Sequence, residues 1–237
     1  MGEIAGQLNE VERKLIQEAI LNSPKKPETA VEVGTWLGGG STLHILGALE
    51  RNGTGHLWGI EADRSIYEQM LGNLRAAAPE ICHRFTPLFG YSQDVLRKWT
   101  RERGPGATVD FAFLDGGNNP REQMDEFGLL DSLIPVGGQL MSHDAKARKG
   151  RWLVPYISRL DNWESRLYDV SYEGLFYAKK IAAKPSAATL RAANSSLFRM
   201  KCNPVEIAAT WLPSSFCGFC LKLLPKGYSR WISDGRK

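Results

Sequence analysis

The chain has 237 residues, of which 43% are hydrophobic and 24% charged, with a formal net charge of +4. These are the proportions of an ordinary globular protein, and the length suits one α/β domain with an extension. No apolar run reaches the roughly 18 residues of a spanning helix, and four cysteines (Cys82, Cys202, Cys217, Cys220) make no disulfide framework. The start, Met1-Gly2-Glu3-Ile4-Ala5-Gly6, shows neither a basic-then-apolar signal nor the Ser or Thr of a myristoylation site at Gly6. A cytoplasmic protein with reduced thiols is the expectation.

Charge is unevenly placed. Residues 1–178 carry 19 Lys/Arg against 24 Asp/Glu, whereas residues 179–237 carry 11 against 2. The division predicts a main domain over 1–180 and a basic, aromatic extension over 181–237.

In chain order, Leu8, Val11, Leu15, Ile16, Ala19 and Ile20 recur at helical spacing, and Asn22-Ser23-Pro24 breaks the helix. A β-branched strand over 30–34 then enters the glycine-rich turn Gly34-Thr35-Trp36-Leu37-Gly38-Gly39-Gly40, which leads to a helix over 41–51. Such a turn lets a ligand approach bare backbone, and the helix start offers unpaired N–H groups. A second strand over 56–61 ends in Glu61, about 20 residues after the glycines, where nucleotide-binding βαβ units place an acid for the ribose hydroxyls. Helix 64–77, strand 83–88, a short helix through Trp99, strand 109–115, helix 121–132, strand 138–142, helix 152–161 and segments 165–170 and 174–180 follow. This alternation predicts a doubly wound, mostly parallel, Rossmann-like sheet. Ligands in such sheets bind beyond the carboxyl ends of the strands. Glu32-Val33-Gly34, Glu61, Ser92, Asp115 and Asp144 all fall at or just past those ends.

The segment from Val31 to Thr42 resembles the first motif of class I S-adenosylmethionine (SAM) methyltransferases, and Glu61 resembles their ribose-binding acid. Gly90-Tyr91-Ser92-Gln93-Asp94 is similar to the adenine-contacting segment of catechol O-methyltransferase-like enzymes. Phe113-Leu114-Asp115 and Gly137-Gly138-Gln139-Leu140-Met141-Ser142-His143-Asp144 resemble their strands carrying metal-binding aspartates. The resemblance covers roughly residues 30–150. It implies SAM as cofactor, held by Glu32, Gly34, Trp36, Gly38, Ser41, Glu61, Ser92, Gln93 and Asp115. It also implies Mg²⁺ at Asp115 and Asp144, and a small-molecule hydroxyl as acceptor. Two positions depart from the pattern: Ala145 stands where a third ligand, Asn, is expected, and Asn118 stands where a Lys serves as base. Asn118 or Asn119 is a candidate replacement ligand, and metal dependence stays open. With the Lys missing, His143 is the candidate base beside Asp115 and Asp144. The alternatives are N-methylation without metal, or a non-catalytic SAM-binding protein.

Two basic segments allow more than one reading. Lys146-Ala147-Arg148-Lys149-Gly150-Arg151 is either a solvated loop or a cationic mouth for an acidic acceptor. The extension packs on the body as a lid or homodimer arm, or lies peripherally on an anionic membrane; nucleic acid is the weakest partner. Cys217-Gly218-Phe219-Cys220 lacks the further ligands of a zinc site and reads as two small buried residues.

Overall fold

The computed structural model describes residues 4–117 and 119–203. The first element is α1 (Glu10–Leu21), which begins with a capping box. Asn9 accepts from the Glu12 amide at 3.0 Å, and Glu12 Oε2 accepts from the Asn9 amide at 3.0 Å. The chain then alternates as expected: β1 (Thr29–Val33), α2 (Thr42–Asn52), β2 (His56–Glu61), α3 (Arg64–Ala77), β3 (Phe85–Phe89), α4 (Ser92–Arg103), β4 (Phe111–Leu114), α5 (Pro120–Leu130) and β5 (Gln139–Ser142). It closes with α6 (Leu153–Ile157), β6 (Trp163–Tyr168), β7 (Leu175–Lys180) and α7 (Ala187–Lys201).

The seven strands lie in the order β3-β2-β1-β4-β5-β7-β6. Strands β1 to β5 pair in parallel, and β7 runs antiparallel to both β5 and β6. The doubly wound, mostly parallel sheet read from the sequence is therefore the fold. Period-two alternation divides the core between the faces. In β4, Phe111 and Phe113 pack with α1, α2 and α3, whereas Ala112 and Leu114 pack with α4, α5 and α6. Every residue of β1, β4 and β5 is buried, as strands covered on both faces must be. The order reverses between β1 and β4, so a crevice opens where their carboxyl ends diverge.

One element differs from expectation. The helix expected over 152–161 stops at Ile157, because Asp161 and Asn162 are turn formers with other partners. Asp161 Oδ1 accepts from the Ser186 amide and from Thr189 Oγ1, both at 2.8 Å, and so anchors the start of α7. Helix α7 begins after Pro185 and buries Ala193 in the core shared with α6. The rest of the basic extension, with its aromatic residues and the Cys217–Cys220 pair, lies outside the described residues. Among the described residues, no helix is long and apolar enough to cross a membrane.

The glycine run has an unexpected neighbour. A side chain on Gly39 would meet the backbone carbonyls of Ile4 and Ala5, and one on Gly6 would come within 2.6 Å of Gly39. The N-terminal segment thus crosses directly over the turn, and the small residues make room for chain rather than for ligand. A Gly39→Ala substitution should destabilise the protein by about 1–3 kcal/mol and loosen residues 4–8, whereas Gly47→Ala, facing open space within α2, should stabilise it by about 0.5–1 kcal/mol. Denaturant unfolding of the two variants, with limited proteolysis at the N-terminus, checks this contrast.

Candidate active site

A cleft of about 480 Å³ opens at the carboxyl ends of β1, β2 and β4. Gly34, Glu61, Ser92, Gln93, Glu126 and Arg148 are among its walls. Gly34 (φ 87°) lies so close to β4 that a Cβ would sit 2.6 Å from the Asp115 carbonyl carbon. Glu61 is oriented by backbone donors: Trp36 donates to Oε2 at 3.0 Å, and Ala62 and Asp63 donate to Oε1 at 2.9 and 3.0 Å. Oε2 keeps acceptor capacity toward the cleft. Trp36 takes φ 45°, unusual for a bulky residue, and its amide reaches Glu61 from that turn.

Of the candidate cofactor residues, Gly34, Glu61, Ser92 and Gln93 line this cleft. Glu32, Trp36, Gly38, Ser41 and Asp115 are not among its lining residues. Glu32 is fully buried and accepts from Ser41 Oγ and, at 2.8 Å, from Thr42 Oγ1. Burial pushes its carboxyl up to about 8 against the pull of those two bonds. It ties β1 to the first turn of α2. Gly38 packs under Leu74 and Met70 of α3. A further acid, Glu126 on α5, lines the cleft: Oε1 accepts from Ser92 Oγ at 2.6 Å, and among the described residues no group bonds Oε2. Burial raises it to about 7.

Just behind the cleft wall is a buried ion cluster. Lys149 Nζ lies 2.7 Å from Asp115 Oδ1 and 2.9 Å from Asp144 Oδ2, and its side chain is 5% exposed. His143 Nδ1 is 3.4 Å from Asp115 and 3.5 Å from Asp144, while Nε2 is 3.4 Å from Glu12 Oε1. Ser171 Oγ donates to the same Glu12 oxygen at 2.6 Å. Burial opposes charge at Glu12, Asp115, His143 and Lys149, but the carboxylates outweigh it at the two cations. They raise His143 to about 10 and hold Lys149 well above its ordinary value. Conversely, Lys149 and His143 hold Asp115 low, and His143, Ser171 and the Asn9 amide do the same for Glu12, in both cases against burial.

Asp115 is thus paired with Lys149 and faces His143. The arrangement also decides two sequence readings. The basic run is not a solvated loop: Lys149 is buried, Arg148 lines the cleft, and Lys146 pairs with Asp169. Asn119, a candidate ligand, instead caps α5 by accepting from the Arg121 amide at 2.9 Å; Asn118 lies outside the described residues.

Because His143 binds its proton more tightly folded than unfolded, its stabilising effect is complete below about pH 6.5 and declines as pH rises toward 10. Replacement by Gln should cost about 3 kcal/mol at pH 6, and that penalty should shrink steadily up to pH 10. Thermal unfolding of both proteins across this range measures it; a penalty that is flat with pH would contradict the charged imidazole.

The motifs and their geometry agree with comparisons to known proteins. A family model described as a methyltransferase domain matches residues 31–145. No curated protein matches the chain. Among solved structures, a Staphylococcus aureus protein named as a candidate caffeoyl-CoA O-methyltransferase is similar at 14% identity, with TM-score 0.60, over 75% of this chain and 86% of its own. An O-methyltransferase of Bacillus cereus in complex with SAH is 18% identical, with TM-score 0.57, over 73% and 82% of the two chains. An SAH-bound methyltransferase of Podospora anserina is 11% identical, with TM-score 0.58, over 74% and 80%. These likenesses establish the shared fold. Residues 31–145 thus match a methyltransferase-domain model, and the fold around them is the one seen in solved, SAH-bound methyltransferases.

Proposed function

We propose that the protein transfers the SAM methyl group to a hydroxyl of a small molecule. One observation carries this reading: Glu61, oriented by three amides at the end of β2, faces the same cleft as Gly34, Ser92 and Gln93. That is where a ribose acceptor, a close backbone approach and an adenine-binding segment are required together. The solved structures of similar fold named for O-methylation support the hydroxyl.

The sulfonium of SAM brings an electrophilic methyl group, so the chemistry demanded of the side chains is modest. Their part is orientation of the acceptor oxygen, an effect worth up to about 7–11 kcal/mol. In this reading Glu61 binds the ribose, Ser92 and Gln93 border the adenine, and Gly34 admits the methionine end. Asp115 and Asp144 shape the acceptor side, and His143 serves there as a fixed imidazolium that positions both aspartates. A group raised to about 10 keeps its proton at neutral pH and does not act as the base. Arg148, on the cleft wall, gives an acidic acceptor a cation to meet.

Calorimetric titration with SAM, followed by turnover on phenols, catechols and amines, tests the assignment. Micromolar SAM binding, weakened about tenfold or more by Glu61→Ala, and transfer to hydroxyl acceptors are expected. Transfer to amines alone would reassign the reaction to nitrogen, and binding without turnover would mark a SAM-binding protein. His143→Gln should lower kcat with SAM affinity kept, and the wild-type profile should show no His143 limb near pH 6.5. Arg148→Glu should raise KM for an acidic acceptor; a weaker SAM affinity instead would assign Arg148 to the cofactor carboxylate.

A further inference from the structure

Asp115, His143 and Asp144 offer three ligand atoms within 4.8 Å of one another, a spacing that would suit a metal ion. Yet a cation of the chain's own already bridges them. Lys149 Nζ is within hydrogen-bonding distance of both carboxylates, at 2.7 and 2.9 Å, and its side chain is 5% exposed against 14% for Asp115 and 27% for Asp144. His143 directs Nδ1 at the same two carboxylates, at 3.4 and 3.5 Å. Mg²⁺ requires a near-octahedral set of oxygens at about 2.0–2.1 Å. Here the carboxylate oxygens are engaged by Lys149 and approached by His143, and the next position along, Ala145, is a buried methyl group. A divalent ion would have to displace the ammonium or sit beside it against direct repulsion. The residues present do not fit Mg²⁺.

We propose that Lys149 is the resident cation of this site, holding Asp115 and Asp144 in one geometry in place of a divalent metal, so that methyl transfer runs independently of added metal. The proposal rests on the methyltransferase reading only for its last clause. Lys149 is a positioning residue: its ammonium contacts the two aspartates, and it acts on the reaction through them. The bridge also explains why a lysine is buried at all. Two carboxylates converging from separate strand ends repel unless a positive charge lies between them.

The test is direct binding of Mn²⁺ to the full-length protein, followed by electron paramagnetic resonance without SAM or acceptor. It uses wild type, Lys149→Ala, and Lys149→Met, which keeps the apolar stem should the alanine variant not fold. Wild type should bind no Mn²⁺ at this site. The folded Lys149 variant should gain a single ion, about 10- to 100-fold tighter than any wild-type binding, and lose it again when Asp144→Asn is added. Wild-type turnover should be unchanged by EDTA or Mg²⁺, and should fall about 100-fold in the Lys149 variant with SAM affinity kept. An Asp144-dependent Mn²⁺ site in wild type, or a folded Lys149 variant that gains none, would overturn the proposal. Because ion binding is read without substrates, failure of the acceptor assignment leaves this result standing.

Discussion

The constraint on which the rest of the site depends is the buried cluster of Glu12, Asp115, His143, Asp144 and Lys149. Its members come from α1, the end of β4, the end of β5 and the turn before α6, so the cluster joins both flanks of the crevice. With His143 and Lys149 positive, three carboxylates face two cations. At an effective dielectric of about 20, opposite charges about 4 Å apart attract by about 4 kcal/mol. Removing each ion from water costs several kcal/mol. The two effects are of the same size, so the cluster contributes position more than net stability. What it excludes is any arrangement in which one of the five is misplaced, since a buried charge would then stand unpaired.

The same cluster makes the N-terminal helix a part of the site. Glu12 bonds Asn9 through Oε2 and faces His143 and Ser171 through Oε1. One carboxylate therefore caps α1 and fixes the imidazole. The segment before α1 crosses the glycine turn so closely that a Cβ on Gly39 would clash with its backbone. Helix start, glycine turn and ion cluster are thus mechanically coupled through eight or so residues of chain.

Much of this architecture was legible in the sequence. Strands β1, β4 and β5 are covered on both faces and so read as continuous apolar runs, and the acids at their ends stand out against them. Glu61 and Ser92-Gln93, singled out from their places after β2 and β3, do line one cleft. What was not legible is who faces whom. Lys149 sits in an aperiodic basic run, and its burial is decided by a carboxylate 34 residues earlier. Glu12 carried a readable signal, the Asn9-x-x-Glu12 capping box, but its second oxygen meets Ser171, 159 residues away. Glu32, beside the glycines, was among the residues that the resemblance implied for the cofactor. Its partners proved to be Ser41 and Thr42, hydroxyls of the next helix turn. Glu126 lies mid-helix at a core-facing position, where nothing in the local pattern separates a cleft wall from ordinary burial.

Ala145 reads differently once Lys149 is in place. Taken alone, a missing ligand suggests decay of a metal centre. In the folded chain Ala145 is buried, and its own carbonyl lies 2.5 Å from where a Cβ on Gly150 would be. The turn carrying Lys149 therefore descends directly onto Ala145, and only a glycine at 150 permits that approach. A longer, polar residue at 145 would stand in this packed contact with no ion to bind, and its amide would be left without partners. Small residues at 145 and 150 and the lysine at 149 form a single adaptation: the first two let the turn close, and the third supplies the charge that the aspartates need. The departure from the metal-binding pattern is then the condition for the lysine bridge.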